Sequence, residues 1–171
     1  MNSAYFTALL ALTTPAAACS AKFDYGMLYK ELMAEVEAAE GKSTASLVKA
    51  TQTCEALLSE PIAFKSAEKG WTVKYRGADG TMLTQNGVVI MHLPSDLDFP
   101  ESCGVIAKPS ESYSQIKQAF ASKYGPLVTS NDDDRRLYPT LTVSYQKFSY
   151  RIRSAENPKS ALSITVRHKE D

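Results

Sequence analysis

The apolar residues of this chain change period partway along it, and that change limits the folds open to it. Between Tyr25 and Leu58 they recur at three and four, the spacing of one helical face; from Ile62 the period changes to two, the spacing of a strand, with one further helix set into that strand-rich remainder. In "DYGMLYKELMAEVEAAEG" the stripe is Tyr25, Leu28, Tyr29, Leu32, Val36 and Ala39, and Gly41 stops it. "STASLVKATQTCEALLSEP" opens on Ser43 or Thr44 as N-cap, aligns Leu47, Thr51, Cys54 and Leu58, and ends before Pro61. The two predict a helical hairpin. Glu31, Glu35, Glu37 and Glu40 occupy the outer positions of the first helix, so its stripe is a core face and not a lipid-binding one.

The period-two remainder predicts a sheet. "WTVKY" sets Trp71, Val73 and Tyr75 against Thr72 and Lys74, and the turn signals "GADG" and "QNGV" divide residues 71–93 into a three-stranded antiparallel meander. Pro94 to Pro109 reads as a loop. Ser112 and Gln115 can form a capping box for a third helix carrying Tyr113, Ile116, Phe120 and Tyr124, which Gly125-Pro126 ends. In "LTVSYQKFSYRI" Leu141, Val143 and Tyr145 are in one phase and Phe148, Tyr150 and Ile152 in the other, so the chain bulges or turns near Gln146-Lys147. After the turn "ENPK", Leu162, Ile164 and Val166 face inward. The expected fold is α+β: an antiparallel sheet of five to six strands, with an N-terminal helical hairpin and one further helix packed on one face. With 171 residues, 44% of them hydrophobic, one core and one domain over residues 22–171 are expected.

Residues 1–21 read as a signal peptide. "AYFTALLAL" has the length of an h-region, too short for a permanent transmembrane helix, and Thr13, Thr14 and Pro15 break it before a run of small residues; the preceding "MNS" has no Lys or Arg. Ala16-Ala17-Ala18-Cys19 resembles the lipobox of bacterial lipoproteins, which implies a lipid on Cys19, although Ala16 stands where that motif usually has leucine. Signal peptidase cutting after Ala18, Ser20 or Ala21 is the other route, and the last two cuts discard Cys19. Either way a periplasmic or membrane-anchored location is expected. Cys54 and Cys103 then remain as an even pair in an oxidising compartment, and a Cys54–Cys103 disulfide is expected.

Composition narrows the function classes. Lysine plus arginine and aspartate plus glutamate each number 19, so no net field steers the chain toward nucleic acid or an anionic membrane. The sequence has no HExxH, GxSxG, glycine-rich phosphate loop or CxxC, and no cofactor is expected. His92 shares a strand face with Val88 and Ile90 and reads as a hydrogen-bonded histidine at a sheet margin; His168 ends the last strand and is expected to meet solvent. "NDDDRR", residues 131–136, departs from EF-hand spacing, because Arg136 takes a ligand position, and reads as a solvated loop with no metal.

The candidate partner-binding residues are basic. With Phe148, Tyr150 and Ile152 facing inward, Lys147, Arg151 and Arg153 share the outer face, and Arg167 and Lys169 on a paired strand join them. One reading is a solubilising outer face; the other is a docking site for an acidic protein surface or an anionic envelope polymer. The function expected is a non-enzymatic exported envelope protein that binds or neutralises another protein, such as an immunity protein or enzyme inhibitor. An envelope-assembly scaffold would look much the same. The alternative is a small secreted hydrolase using His92 with a carboxylate such as Asp96 or Asp98.

Overall fold

The computed structural model describes residues 25–59, 69–95, 100–130, 140–153 and 161–169. The expected leader with Cys19, Asp96 and Asp98, the acidic run 131–136 and the "ENPK" turn lie outside the described residues. Within them the elements are α1 (Tyr25–Ala38), α2 (Thr44–Ser59), β1 (Thr72–Gly77), β2 (Gly80–Gln85), β3 (Val88–Leu93), β4 (Ser102–Ala107), α3 (Tyr113–Tyr124), β5 (Val128–Ser130), β6 (Thr140–Tyr145), β7 (Phe148–Arg153) and β8 (Leu162–His168). All the strands form one antiparallel sheet in the order β1-β2-β3-β4-β8-β7-β6-β5.

The α+β class holds, but the sheet has eight strands where five to six were expected. The stretch read as a loop contains β4, which pairs with β3 on one side and β8 on the other and so joins the two halves of the sheet. Its alternation of Cys103, Val105 and Ala107 is short and interrupted by Gly104, and prolines flank it. The remaining unexpected strand, β5, is only three residues long.

Local signals place most of the other elements. Ser43 caps α2, its hydroxyl accepting from the Ser46 amide at 3.3 Å. Ser112 and Gln115 form the expected capping box on α3. Asn86 and Gly87 both have positive φ, 49° and 74°, in the two-residue turn between β2 and β3. Gly87 is needed for space as well, because a Cβ there would come within 2.1 Å of Ala39 Cβ. The phase change after Tyr145 is a turn at Gln146-Lys147, with Tyr145 paired to Phe148.

The larger core lies on the sheet face covered by α2 and α3. Leu47, Cys54, Leu57 and Leu58 of α2, with Ile116, Phe120 and Tyr124 of α3, pack on Leu83, Ile90, Val105, Leu141, Tyr150, Ile164 and their neighbours. The Cys54–Cys103 disulfide is present and ties α2 to β4, with Cα atoms 5.4 Å apart. Glu55 adds a polar tie: its Oε1 accepts from Tyr124 Oη at 2.8 Å and Tyr150 Oη at 3.1 Å. Burial, with the Glu55 carboxylate beside them, pushes both phenols well above the usual tyrosine range.

The helices do not all share one face. Leu32 and Val36 of α1 cluster with Met82 and Val89, and alternation puts these opposite Leu83 and Ile90. An amphipathic stripe shows that a helix buries one side; it does not show which layer receives it. The turn from α1 to α2 runs beside the segment leading into α3, where the Lys42 amide donates to Lys108 O at 2.7 Å and the Ser110 amide to Lys42 O at 2.9 Å. A carboxylate fixes α1: Glu35 accepts from Lys74 Nζ at 2.6 Å and from Thr84 Oγ1 at 3.1 Å. Lys74 lies between the paired residues Val73 and Tyr75 at a register shift, which turns these two to opposite faces instead of the shared one expected.

Candidate functional site

The face that α1 covers continues past β4 onto β8, β7 and β6, where no described helix lies over it. The ladder register decides its chemistry, because residues paired across strands stand side by side on one face. Under α1 the row through β2 and β3 reads Met82, Met91, and the next pairs Val89 with Ile106 of β4. Beyond β4 the same rows become polar. Arg167 on β8 lies between Ser102 of β4 and Ser149 of β7. Arg151 on β7 lies between Thr165 of β8 and Thr142 of β6. Arg153 faces Ser163 on one side and, one step beyond the Leu141–Ile152 pair, neighbours Thr140 on the other.

Each row therefore carries one arginine, and each arginine has a hydroxyl residue on both neighbouring strands. Tyr150, Ile152, Ile164 and Val166 belong to the opposite core, which holds the arginines in this orientation. Arg151, Arg153, Arg167, Thr142, Ser149 and Thr165 line a shallow concavity of about 630 Å³, with Lys169 at one end and Pro126 and Val128 at the β5 margin. Arg151 and Arg167 are exposed and Arg153 is half-buried. A guanidinium is a donor for oxyanions whose planar fork meets two carboxylate oxygens at once, and flanking hydroxyls can donate to the remaining lone pairs, except that of Thr142, which donates to Val128 O at 3.3 Å.

Four of the five basic residues named from the sequence line this concavity. Lys147 does not. It sits in the β6–β7 turn, and its ammonium lies 5.3 Å from the centre of the Phe148 ring, a side chain of the opposite core. The residues that sequence reasoning passed over are Thr140, Thr142 and Ser102, because only the cross-strand register shows which hydroxyls flank which arginine.

Both histidines have hydrogen-bond partners. His92 Nε2 lies 2.7 Å from Glu101 Oε1, so its acidic partner is the residue before β4. Its strand neighbour is Cys103. His168 is exposed, as expected, and its Nε2 also donates to Leu58 O at 2.9 Å, with its ring 5.3 Å from that of Phe148. Among the described residues no group of three His, Cys, Asp or Glu side chains could hold a metal ion, and no helix is long and apolar enough to cross a membrane. No family model matches the chain, and neither a curated protein nor a solved structure matches it.

Proposed function

We propose that this chain is a non-enzymatic exported protein of a bacterial envelope, periplasmic or lipid-anchored, that binds and neutralises another protein through the arginine-bearing half of its sheet. The observation that carries the reading is the ordered set of Arg167, Arg151 and Arg153, each between two hydroxyl residues. A face that only kept the protein soluble would need charge of either sign in no particular order. Here one sign repeats at successive rows. The formal net charge of zero makes this local pattern the means of attracting an acidic surface.

The test is capture from envelope fractions by the wild-type protein and by the double variant R151E/R167E, at matched salt. An acidic protein retained by the first and lost by the second, with affinity falling as salt rises, is the expected result. Equal retention by both proteins excludes this face. Intact mass of the mature chain, taken from the same preparation, separates acylated Cys19 from a bare or removed cysteine.

A second reading, a small secreted hydrolase, keeps one observation, the 2.7 Å approach of His92 to Glu101. It needs a reacting group beside that pair. H92Q abolishes any such activity and leaves partner capture unchanged if the binding reading is right.

A further inference from the structure

We infer that the arginine array recognises an extended acidic segment of the partner protein, with carboxylates at alternate positions; this rests on the docking reading above. The inference comes from spacing. Arg151 and Arg153 are two residues apart on β7, so their positions differ by one strand repeat of about 6.8 Å. Arg167, on β8, is paired with Ser149 and so lies one repeat before Arg151 in the same direction. The three arginines advance one row at a time along the strands, over about 14 Å.

A polypeptide lying along β7 in extended form has that same repeat. Its alternate side chains point toward the sheet, so acids at the first, third and fifth positions arrive over Arg167, Arg151 and Arg153 in turn. The intervening side chains point away and carry no requirement. The residues paired with the arginines are Ser102 and Ser149 for Arg167, Thr142 and Thr165 for Arg151, and Ser163 for Arg153, and the bidentate geometry rewards a planar carboxylate held at the correct pitch.

The margin of the site favours a protein over a polymer of anions. Val128 is 66% exposed at the β5 edge and lines the concavity with Pro126, an apolar rim that a polypeptide can cover and a chain of phosphates cannot use.

Two synthetic peptides of equal charge and composition test this: acetyl-Thr-Glu-Val-Glu-Val-Glu-Thr-amide, and the same residues with the three glutamates adjacent. Titration followed by calorimetry at low salt is expected to show the alternating peptide binding about tenfold more tightly, a ratio that R151Q reduces to near one. The ratio compares two ligands on one protein sample, so partial loss of folded R151Q does not mimic the result. Equal affinity of the two peptides for the wild type overturns the inference while leaving an acid-binding face in place. Tighter binding of inorganic polyphosphate than of the alternating peptide also overturns it. If neither peptide binds, the inference fails, and the R151E/R167E capture experiment then decides separately whether the docking reading fails with it.

Discussion

The half of the sheet face under α1 and the half beyond β4 are built on one continuous ladder, yet one is sealed by a helix and the other carries arginines. Backbone geometry does not separate them. What separates them is which side chains the register brings together: Met82 beside Met91 and Val89 beside Ile106 on one side, Arg151 between Thr142 and Thr165 on the other. Burying apolar rows under a helix is favourable, whereas an apolar helix over the arginine rows would remove guanidinium groups from water and offer them no hydrogen bond. Gly104 lies on β4 between Met91 and Thr165, with no side chain to extend either character. The boundary is therefore a property of β4, the strand that the disulfide holds.

The largest effect on this comparison is expected from cutting that tie. The Cys54–Cys103 bridge closes a sequence separation of 49 residues, and chain-entropy accounting gives it about 4 kcal/mol. C54A/C103A should lower the urea midpoint of unfolding accordingly, in a single transition reported alike by Trp71 fluorescence near β1 and by far-UV circular dichroism. Two separated transitions would show that the halves flanking β4 unfold independently, as two modules.

Next comes the covered half. Leu32 is 1% exposed between α1 and the Met82–Val89 patch, and L32A should cost about 3 kcal/mol through lost contacts and a residual cavity. Hydrogen exchange should accelerate across α1 and β2–β3 before β6–β8. Uniform acceleration, or a cost below about 0.5 kcal/mol, contradicts the packing of α1 on this face.

That patch also shows what could be read from the sequence and what could not. The α2 stripe, the Ser112–Gln115 box, the Asn86-Gly87 turn and the Cys54–Cys103 pairing are local or arithmetic signals, and the structure contains them, whereas Tyr29 of the α1 stripe is exposed. The face chosen by α1 is not local. It depends on Met82, Val89 and Ile106, each of which alternates with an equally apolar neighbour, so the strand pattern offers two buried faces and the helix stripe does not choose between them. β4 was hidden because Ile106 puts an apolar residue on the face opposite Cys103, Val105 and Ala107 and blurs the alternation, and β5 because three residues carry no period. Of the candidate site, the arginine alternation within β7 and β8 and the intervening Ser149, Ser163 and Thr165 were legible, while Ser102, Thr140 and Thr142 required a register that only the assembled sheet supplies.

A smaller effect separates the two halves by pH. The hydrogen bond from Lys74 holds the Glu35 carboxyl below its ordinary 4.5, and Glu35 in turn raises Lys74 above 10.5. The carboxylate contribution is present above pH 4.5 and lost as pH falls through the lowered value; the ammonium contribution is full below pH 10.5 and lost as pH rises through the raised one. The pair is about a third exposed, so its worth is discounted to about 0.5–1 kcal/mol. E35Q should melt a few degrees below the wild type at neutral pH and converge with it under acid conditions. A gap that persists unchanged at low pH would assign the loss to packing and not to charge.

The smallest stability effect belongs to the uncovered half. R167Q removes a charge from an exposed position whose strand neighbours are Ser102 and Ser149, and it should change unfolding free energy by no more than about 0.5 kcal/mol. Near-neutrality is informative because both accounts of the arginines predict it, and they divide on what else changes. If Arg167 serves only solubility, R167K keeps the charge and behaves as wild type in every assay. If the guanidinium fork reads a carboxylate, R167K weakens capture of the acidic partner while melting at the wild-type temperature, since an ammonium cannot reproduce two parallel hydrogen bonds. A lysine variant that binds as well as the wild type would reduce the arginine rows to a charged surface and make the difference between the two halves one of burial alone.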